Sequence, residues 1–318
     1  MTTREIRKNP FTKEWIIFSE IRQERPDREK AYCPLCVGSE EVPVFTCPLR
    51  LSNKYPSLFK ENGLKHHKLG DFYEKINGYG YCELVVYTDK HNAKFSEMSS
   101  ETLLKIFETW MNATKQLSSD KSIKYILPFE NYGEDVGATL LHPHGQIYAF
   151  PFLPNRIKQE VDSILEYKEM KKQCMVCDYI VSEKEKDERI VYKDESIVAL
   201  VPYFASHAYD IYIYPIRHIS FLHQCTRSEM KSLINILQNS IKALNSIFEK
   251  DVSYSLSLHQ GPVNEEGTTA FHLYFKVHTP QRNKVSKKLL GAVETSGATY
   301  INGTLPETAA ARLRTQIM

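Results

Sequence analysis

The chain has 318 residues, 42% apolar and 25% charged, which is enough to bury a core in two domains or in one large domain. Its formal net charge of +2 gives no support for a surface that binds nucleic acid or an anionic membrane. The sequence has no run of about 18 apolar residues and no signal-peptide core, so it predicts a soluble cytoplasmic protein without a membrane span. In that compartment, the seven cysteines are expected to bind metal or to stay single rather than to form disulfides.

Two Cys-x-x-Cys pairs stand out among these cysteines. The first pair is Cys33 and Cys36, the second is Cys174 and Cys177, and the other three cysteines are isolated. Each pair lacks two ligands of a tetrahedral zinc site, and histidine is the usual completion. Redox chemistry is the alternative, but neither pair has the thioredoxin-like βαβ context that it needs.

An internal repeat follows the two cysteine pairs. Residues 83–91 (ELVVYTDKH) and 210–218 (DIYIYPIRH) each contain an acidic residue, a strand of apolar and aromatic residues, a basic residue and a final histidine. A helix is predicted after each copy, the first beginning at Ser99 and the second at the Thr226–Glu229 capping box. The order Cys-x-x-Cys, His, His therefore occurs twice at comparable spacing, which the duplication of one unit explains.

The duplication predicts two halves, residues 1–165 and residues 166–318, with a charged connecting helix over residues 155–172. Each half is expected to hold one structural zinc ion, because four protein ligands leave no open coordination position for chemistry. The ligands predicted for the first site are Cys33, Cys36, His91 and His142. The ligands predicted for the second site are Cys174, Cys177, His218 and His272.

The motif with the clearest chemical meaning is HPHGQ at residues 142–146. Histidines two residues apart on an extended chain point to the same face, so His142 can bind the metal while His144 faces a substrate. A neutral imidazole is a good nucleophile near physiological pH, and Gln146 lies on the same face as a neutral hydrogen-bond donor. Gly137 and the glycine after His144 are expected to let a phosphate approach the backbone. By itself, His-Pro-His is explained equally well as a pair of metal ligands.

With its flanking residues, this motif resembles the galactose-1-phosphate uridylyltransferase family of the histidine-triad superfamily, and the resemblance covers most of the chain. The family's residues ahead of the motif match Asn131, Gly137 and Thr139. Its N-terminal motifs match NPFTKEW at residues 9–15, RQERP at 22–26, CPLC at 33–36 and NKYP at 53–56. Its C-terminal end is similar to residues 291–314, which include Glu294.

The resemblance implies an α+β fold of two tandem histidine-triad-like halves, each an antiparallel sheet with packed helices. It implies that His144 attacks the α-phosphorus of a nucleotide sugar and that sugar 1-phosphate leaves. A second hexose 1-phosphate then takes the nucleotidyl group in a ping-pong reaction, and Gln146 bonds a phosphoryl oxygen of the intermediate. The substrate-binding residues that the resemblance implies are Arg22, Arg25, Asn53, Asn131, Gly137, Thr139, Lys288 and Glu294. Family members are commonly homodimers in which C-terminal residues reach the partner's site.

The second half departs from those members that hold one zinc and one iron ion. By resemblance, the carboxylate of the iron site falls at Glu160 and one of its histidines at His259. The family's His-x-His pair reads HLY here, at residues 272–274, so one iron ligand is missing. The second Cys-x-x-Cys pair resembles instead the two-zinc members, which include ADP-glucose phosphorylases. Zinc or iron as the second metal is left as an alternative.

Three functions are considered. The first is UMP transfer between a UDP-sugar and a hexose 1-phosphate, a reaction of galactose metabolism. The second is adenylyl transfer or phosphorolysis that acts on ADP-glucose or a dinucleoside polyphosphate. The third is a non-catalytic zinc protein that binds nucleotides, and the intact His144 and Gln146 argue against it. The sequence does not choose between uracil and adenine.

Overall fold

The computed structural model describes residues 4–24, 32–60 and 63–317. Within these residues the fold is α+β, which confirms the prediction. The elements of the first half are β1 (Arg4–Lys8), β2 (Trp15–Ser19), β3 (Leu49–Ser52), β4 (His66–Leu69), β5 (Tyr73–Asn77), β6 (Tyr81–Val86), α1 (Ser100–Ser118), β7 (Tyr125–Tyr132) and β8 (His144–Phe150). The elements that follow are α2 (Asn155–Lys171), α3 (Met175–Lys186), β9 (Ile190–Lys193), β10 (Ile197–Leu200), β11 (Ile211–Pro215), α4 (Arg227–Phe248), β12 (Tyr254–His259), β13 (Tyr274–His278), α5 (Ala292–Thr295) and α6 (Pro306–Arg314).

A nine-stranded antiparallel sheet runs through both halves of the described chain. Its strand order is β3-β6-β8-β7-β12-β13-β11-β10-β9, and the halves meet where β7 pairs with β12. N-terminal strands form a second antiparallel sheet of four strands with the order β2-β1-β5-β4. Because the large sheet is continuous across the boundary between the halves, one hydrophobic cluster contains residues of both halves.

The two long helices, α1 and α4, pack on one face of the large sheet. Both are amphipathic, and the buried side of α1 includes Leu103, Phe107 and Trp110 at helical spacing. The ring of Phe107 stacks on Phe275 of β13 with ring centroids 5.4 Å apart, so a helix of the first half covers a strand of the second. In the part of the chain that the structure describes, no helix has the length and apolar character needed to cross a bilayer.

Both long helices begin where the sequence predicts. The Ser99 side chain accepts a hydrogen bond from the amide of Thr102, and Thr226 and Glu229 form the reciprocal capping box of α4. Each cap pairs an amide that the helix itself leaves without a partner, which stabilises a helix by about 1 kcal/mol. The connecting helix expected over residues 155–172 is α2, and its buried side packs on the sheet face opposite α1.

The two copies of the repeat differ by one residue in their strand pairing. Val85 lies opposite the residue three positions after the last predicted zinc ligand of the first half. Ile213 has the same relation to the last predicted ligand of the second half, so the two residues are structurally equivalent. The sequence motifs, in contrast, align Val85 with Tyr212. As a result, Glu83 lies on the sheet face that α1 covers, whereas Asp210 lies on the opposite face. The acidic residues that begin the two copies are therefore not structurally equivalent.

Candidate active site and metal-binding clusters

The structure brings together the four metal ligands predicted for the first half. One donor atom from each of Cys33, Cys36, His91 and His142 lies within 4.8 Å of the others. The Nδ1 atoms of His91 and His142 lie 3.4 Å and 3.6 Å from the Sγ atom of Cys36. Two thiols and two imidazoles at this spacing are the donor set of a closed tetrahedral zinc site, so the residues fit the predicted metal.

The four ligands predicted for the second half form a matching cluster. Donor atoms of Cys174, Cys177, His218 and His272 also lie within 4.8 Å of one another. The Nδ1 atom of His272 lies 3.8 Å from the Sγ atom of Cys174 and 3.5 Å from that of Cys177. The hydrogen bond between the two thiols lowers the pKa of Cys174 and raises that of Cys177, so the pair holds one thiolate more readily than two.

Main-chain carbonyls determine which imidazole nitrogen faces each cluster. The Nε2 atom of His142 lies 2.7 Å from the carbonyl oxygen of Thr88, and that of His272 lies 2.8 Å from the carbonyl oxygen of Pro215. Because a carbonyl oxygen only accepts, each Nε2 carries the proton and each Nδ1 keeps its lone pair for a metal. Thr88 and Pro215 occupy the same position in the two sequence motifs. The two halves therefore share both this histidine ligand and the carbonyl that orients it.

His144 begins β8 two residues after a ligand of the first cluster. Its Nδ1 atom lies 2.8 Å from the carbonyl oxygen of His142, so Nδ1 donates and Nε2 carries the lone pair. The residue is only 7% exposed. Alternation along β8 places Gln146 on the same face of the sheet. A neutral imidazole in this tautomer has the arrangement of a nucleophile with a neutral amide beside it.

Three of the predicted substrate residues lie on β7 or in the loop that joins it to β8. Strand β7 runs beside β8 with Phe129 opposite Gln146, and Asn131 lies two residues further along the same face. Gly137 has a φ of 78°, in the left-handed region that favours glycine, and it lies in the loop that leads back to β8. Thr139 is half-buried in the same loop. Asn131 therefore lies on the sheet face that carries His144, and Gly137 and Thr139 lie in the loop that joins β7 to β8.

Two N-terminal predictions also lie near this face. The Arg22 guanidinium donates to the carbonyl oxygen of Tyr55 at 3.3 Å. Burial raises the pKa of Tyr148 on β8, whereas the positive charge of Arg22 acts to lower it. Because such an effect acts over a short distance, the two side chains lie near each other. Asn53 follows β3 and hydrogen-bonds to β6 through its backbone amide. Arg25, the other predicted arginine, lies outside the described residues.

The two C-terminal predictions, Lys288 and Glu294, lie elsewhere in the molecule. They form an ion pair with 3.2 Å between Nζ and Oε1, and with His207 they line a cavity of about 420 Å³. His207 precedes β11, which is four strand positions away from β8 in the sheet. At about 4.8 Å per strand, this separation is roughly 19 Å. Within one chain, the described structure does not bring Lys288 and Glu294 to His144.

The position equivalent to His144 in the second half holds Tyr274. The Tyr274 hydroxyl donates to Oε2 of Glu160 at 3.0 Å, and its ring stacks on His259 with centroids 4.5 Å apart. Burial raises the pKa of Glu160 to about 7 and lowers that of His259 to about 3. The residues that the resemblance compares with an iron site therefore form a buried stack around Tyr274, the residue equivalent to His144.

The structure corrects the expected role of Gly145. A Cβ atom at this position would collide with the hydroxyl of Tyr87 beneath the strand, so packing accounts for the glycine without a phosphate.

The carboxyl of Glu130 is buried close to Tyr87, whose pKa its charge helps to raise. It accepts a hydrogen bond from the Tyr254 hydroxyl at 2.7 Å. Burial raises the pKa of Glu130 to about 7. Sequence reasoning missed this group, and an acidic residue in an otherwise apolar strand was its only sign.

Comparisons with known proteins agree with this geometry. Residues 1–154 match the family model for the galactose-1-phosphate uridyl transferase N-terminal domain, and residues 160–317 match that for its C-terminal domain. A galactose-1-phosphate uridylyltransferase from Thermotoga maritima is 39% identical over 312 residues, which cover 98% of each chain. The ADP-glucose phosphorylase of Arabidopsis thaliana is 27% identical, over 98% of this chain and 92% of that protein. A solved structure of a uridylyltransferase gives a TM-score of 0.88 at 29% identity and covers 98% of both chains. The chain therefore belongs to the galactose-1-phosphate uridylyltransferase family.

Proposed function

We propose that this chain transfers a UMP group between a UDP-sugar and a hexose 1-phosphate through a covalent intermediate on His144. The observation that carries the proposal is the hydrogen bond between Nδ1 of His144 and the carbonyl oxygen of His142. This bond selects the tautomer whose Nε2 lone pair attacks phosphorus. Membership of the family and the 39% identity to the Thermotoga maritima uridylyltransferase support the substrate class.

The reaction consists of two displacements at the same phosphorus atom. First, Nε2 of His144 attacks the α-phosphorus of the UDP-sugar, and the bond from this phosphorus to the bridging oxygen breaks. Sugar 1-phosphate leaves with the electron pair, and the uridylyl group stays on the imidazole. A phosphate oxygen of a second hexose 1-phosphate then attacks the phosphorus, and the phosphorus–nitrogen bond breaks. The carbonyl of His142 stabilises the positive charge that the imidazole carries as the intermediate.

Residues around β8 bind and orient the phosphates. Gln146 presents a neutral amide, which donates to a phosphoryl oxygen without taking a proton from the nucleophile. The guanidinium groups of Arg22 and Arg25 suit the oxygens of a diphosphate, because a planar donor pair matches two oxygens at once. The remaining residues assigned to the nucleotide are Asn53, Asn131, Gly137 and Thr139.

Both Cys₂His₂ clusters are assigned to structural zinc. Their donor sets support this metal, and four protein ligands leave no position for a substrate. When bound in the first cluster, the ion supplies a fixed crosslink between the Cys33–Cys36 loop and the start of β8. His142 then connects the two functions, because its side chain belongs to the cluster and its carbonyl orients His144.

Lys288 and Glu294 are assigned to the hexose, and we infer that they act on a second copy of the chain. The four strand positions between their cavity and His144 support this arrangement. A homodimer in which each copy lends its C-terminal segment to the other would place both residues at a nucleophile. The active unit is then a dimer with two identical sites.

Adenylyl transfer is the second candidate, with ADP-glucose or a dinucleoside polyphosphate as substrate. The 27% identity to an ADP-glucose phosphorylase and the second cysteine cluster favour it. The same nucleophile and the same two displacements serve both candidates. They differ in the base that the site accepts and in the phosphate acceptor of the second displacement.

Incubation with UDP-glucose or ADP-glucose, each radiolabelled at the α-phosphorus, distinguishes the candidates. A phosphorus–nitrogen bond to histidine is stable in base and labile in acid, so the protein should retain label in base and lose it in acid. Label from UDP-glucose alone supports UMP transfer, and label from ADP-glucose alone supports the second candidate. No label from either, with His144→Ala identical to the wild type, would contradict both and indicate a nucleotide-binding protein. His66→Ala, at an exposed position on β4, is the matched control.

A further inference from the structure

Two histidines and one aspartate form a cluster apart from the residues assigned to zinc and to the nucleotide. His207 and Asp210 lie in the segment before β11, and His278 lies at the end of β13. The Nδ1 atom of His278 is 2.8 Å from Oδ1 of Asp210, and the Nδ1 atom of His207 is 3.9 Å from Oδ2. One donor atom from each residue lies within 4.8 Å of the other two, and the imidazole centroids are 4.1 Å apart. The cluster therefore has the size of a metal-coordination sphere.

The first half of the chain shows that the fold does not require these residue types. Asp210 and His278 directly flank Ile211 and Val277, the terminal pair of the β11–β13 register. The equivalent positions in the first half are Cys82 and Tyr148, which face each other in the β6–β8 pairing and are uncharged. A thiol and a phenol therefore suffice for the same strand pair. The carboxylate and the imidazole in the second half are an addition that strand packing does not explain.

The carboxylate of the cluster is buried, whereas one of its imidazoles reaches a cavity. Asp210 is 1% exposed, so its charge needs partners within the protein. The Ser206 hydroxyl donates to Oδ2 at 2.9 Å, and the Lys276 ammonium lies 3.5 Å from the same oxygen. His207 forms part of the wall of the 420 Å³ cavity that also contains Lys288. The cavity gives room beside His207 for water or for a phosphate oxygen.

We propose that His207, Asp210 and His278 bind a divalent first-row transition metal ion, in a third site that differs in chemistry from the cysteine clusters. Two imidazoles and one carboxylate are a donor set that such ions accept, and three protein ligands leave coordination positions open. On binding, the ion takes the place of the proton between Nδ1 of His278 and Oδ1 of Asp210, and the neutral imidazole carries its proton on Nε2 instead.

Lys276 competes with the metal ion for the carboxylate. Its ammonium lies 3.5 Å from Oδ2 of Asp210 and 5.4 Å from the centre of the Tyr212 ring. The lysine and a metal ion bound to the same carboxylate repel each other, so the site binds its ion more weakly than the cysteine clusters bind theirs. Removal of the lysine charge by Lys276→Met is therefore expected to tighten binding. This variant tests the proposal through a gain, which a misfolded protein does not produce.

Titration of the full chain with Co²⁺ tests the proposal. The protein is used as purified, with its cysteine clusters loaded, and binding is followed by calorimetry and by visible absorption. We expect one further equivalent of cobalt whose spectrum lacks the thiolate charge-transfer band of cobalt bound to cysteine. His207→Asn and His278→Asn should each weaken this binding at least about tenfold, and Lys276→Met should strengthen it about tenfold.

His66→Asn is the matched control, because His66 also pairs with a carboxylate, at 3.0 Å from Glu74, but on the other sheet. This variant should bind cobalt as the wild type does. A wild-type protein that takes up no cobalt beyond its cysteine clusters would overturn the proposal. Equal loss in His66→Asn and His278→Asn would overturn it as well. If His278→Asn does not fold, an unchanged affinity of Lys276→Met for cobalt would still rule out the site.

Discussion

The carbonyl oxygen of His142 lies 2.8 Å from Nδ1 of His144, so a single residue belongs to the first cysteine cluster and also orients the proposed nucleophile. The second cluster has no such connection, because the residue equivalent to His144 is Tyr274, whose hydroxyl donates to Glu160. The two clusters match in donor chemistry but differ in what depends on them. Because of this asymmetry, mutation can separate the effect of the first cluster on the reaction from that of the second.

Loss of either cluster should remove one metal equivalent, but only the first should slow the chemistry. Cys36→Ser is expected to lower the rate of covalent labelling from the nucleotide sugar at least about tenfold, because His142 loses its anchor. Cys174→Ser is expected to lower the melting temperature while the labelling rate stays within about twofold. Metal analysis, thermal melting and single-turnover labelling measure these effects.

Cys47→Ser is the control for these variants, because Cys47 is an exposed thiol outside both clusters. It should keep both metal equivalents and the wild-type labelling rate. If Cys36→Ser and Cys174→Ser slow labelling equally, the proposed link through His142 is wrong.

Gln146 should matter for the transferred group and not for the fold. Its side chain lies on the face of β8 that carries His144, where it can donate to a phosphoryl oxygen. Gln146→Ala is expected to reduce the labelling rate by about 10²–10³-fold, the usual effect of losing one donor to a developing negative charge. Gln146→Glu should be slower still, because its carboxylate repels the phosphate. If Gln146→Glu is labelled at the wild-type rate, this role is excluded. An unchanged melting temperature of both variants is the control for folding.

The sequence predicted best those features that depend on spacing along the chain. The four ligands of each cluster come together because strand, turn and helix patterns repeat in the same order in both halves. Ser99 and the Thr226–Glu229 pair cap their helices because a cap needs only residues within one turn. Such local chemistry is independent of how the halves pack together.

Features that depend on register and on distant packing could not be predicted. The acidic residues Glu83 and Asp210 align in sequence, yet a one-residue difference in strand pairing puts them on opposite faces of the sheet. The reason for Gly145 lies in the hydroxyl of Tyr87, which a strand register brings beneath it. Neither relation can be read from the local composition, because both arise from pairing between strands that are far apart in the chain.

The buried carboxyl of Glu130 predicts a pH dependence of stability. Its pKa of about 7 in the folded protein lies above its ordinary value of 4.5, because burial disfavours the charge. The unfolded chain therefore loses this proton first as the pH rises, so stability is greatest below about pH 4.5 and falls until about pH 7. We expect Glu130→Gln to be more stable than the wild type by about 2–3 kcal/mol at pH 8 and by less than about 1 kcal/mol at pH 5.

Urea unfolding of both proteins at the two pH values measures this difference. Glu160 has a similarly raised pKa, but it is present in both proteins and cancels in the comparison. Glu101→Gln, at an exposed site on α1, should show no such dependence. An identical change with pH in Glu130→Gln and in the wild type would show that folding does not raise the pKa of Glu130.

The distance between the Lys288–Glu294 pair and His144 leads to a test of shared sites in a dimer. If each copy lends its C-terminal segment to the other, a hybrid of His144→Ala and Glu294→Ala contains one complete site, with His144 from one copy and Glu294 from the other. Random exchange of equal amounts makes half of the dimers hybrids, so the mixture should regain about a quarter of wild-type activity. Each variant alone should be nearly inactive. If both residues instead served a site within one chain, every site in the mixture would lack one of them, and no activity would return. Subunit exchange followed by a transfer assay, with a His144→Ala sample exchanged against itself as the control, therefore decides between the two arrangements.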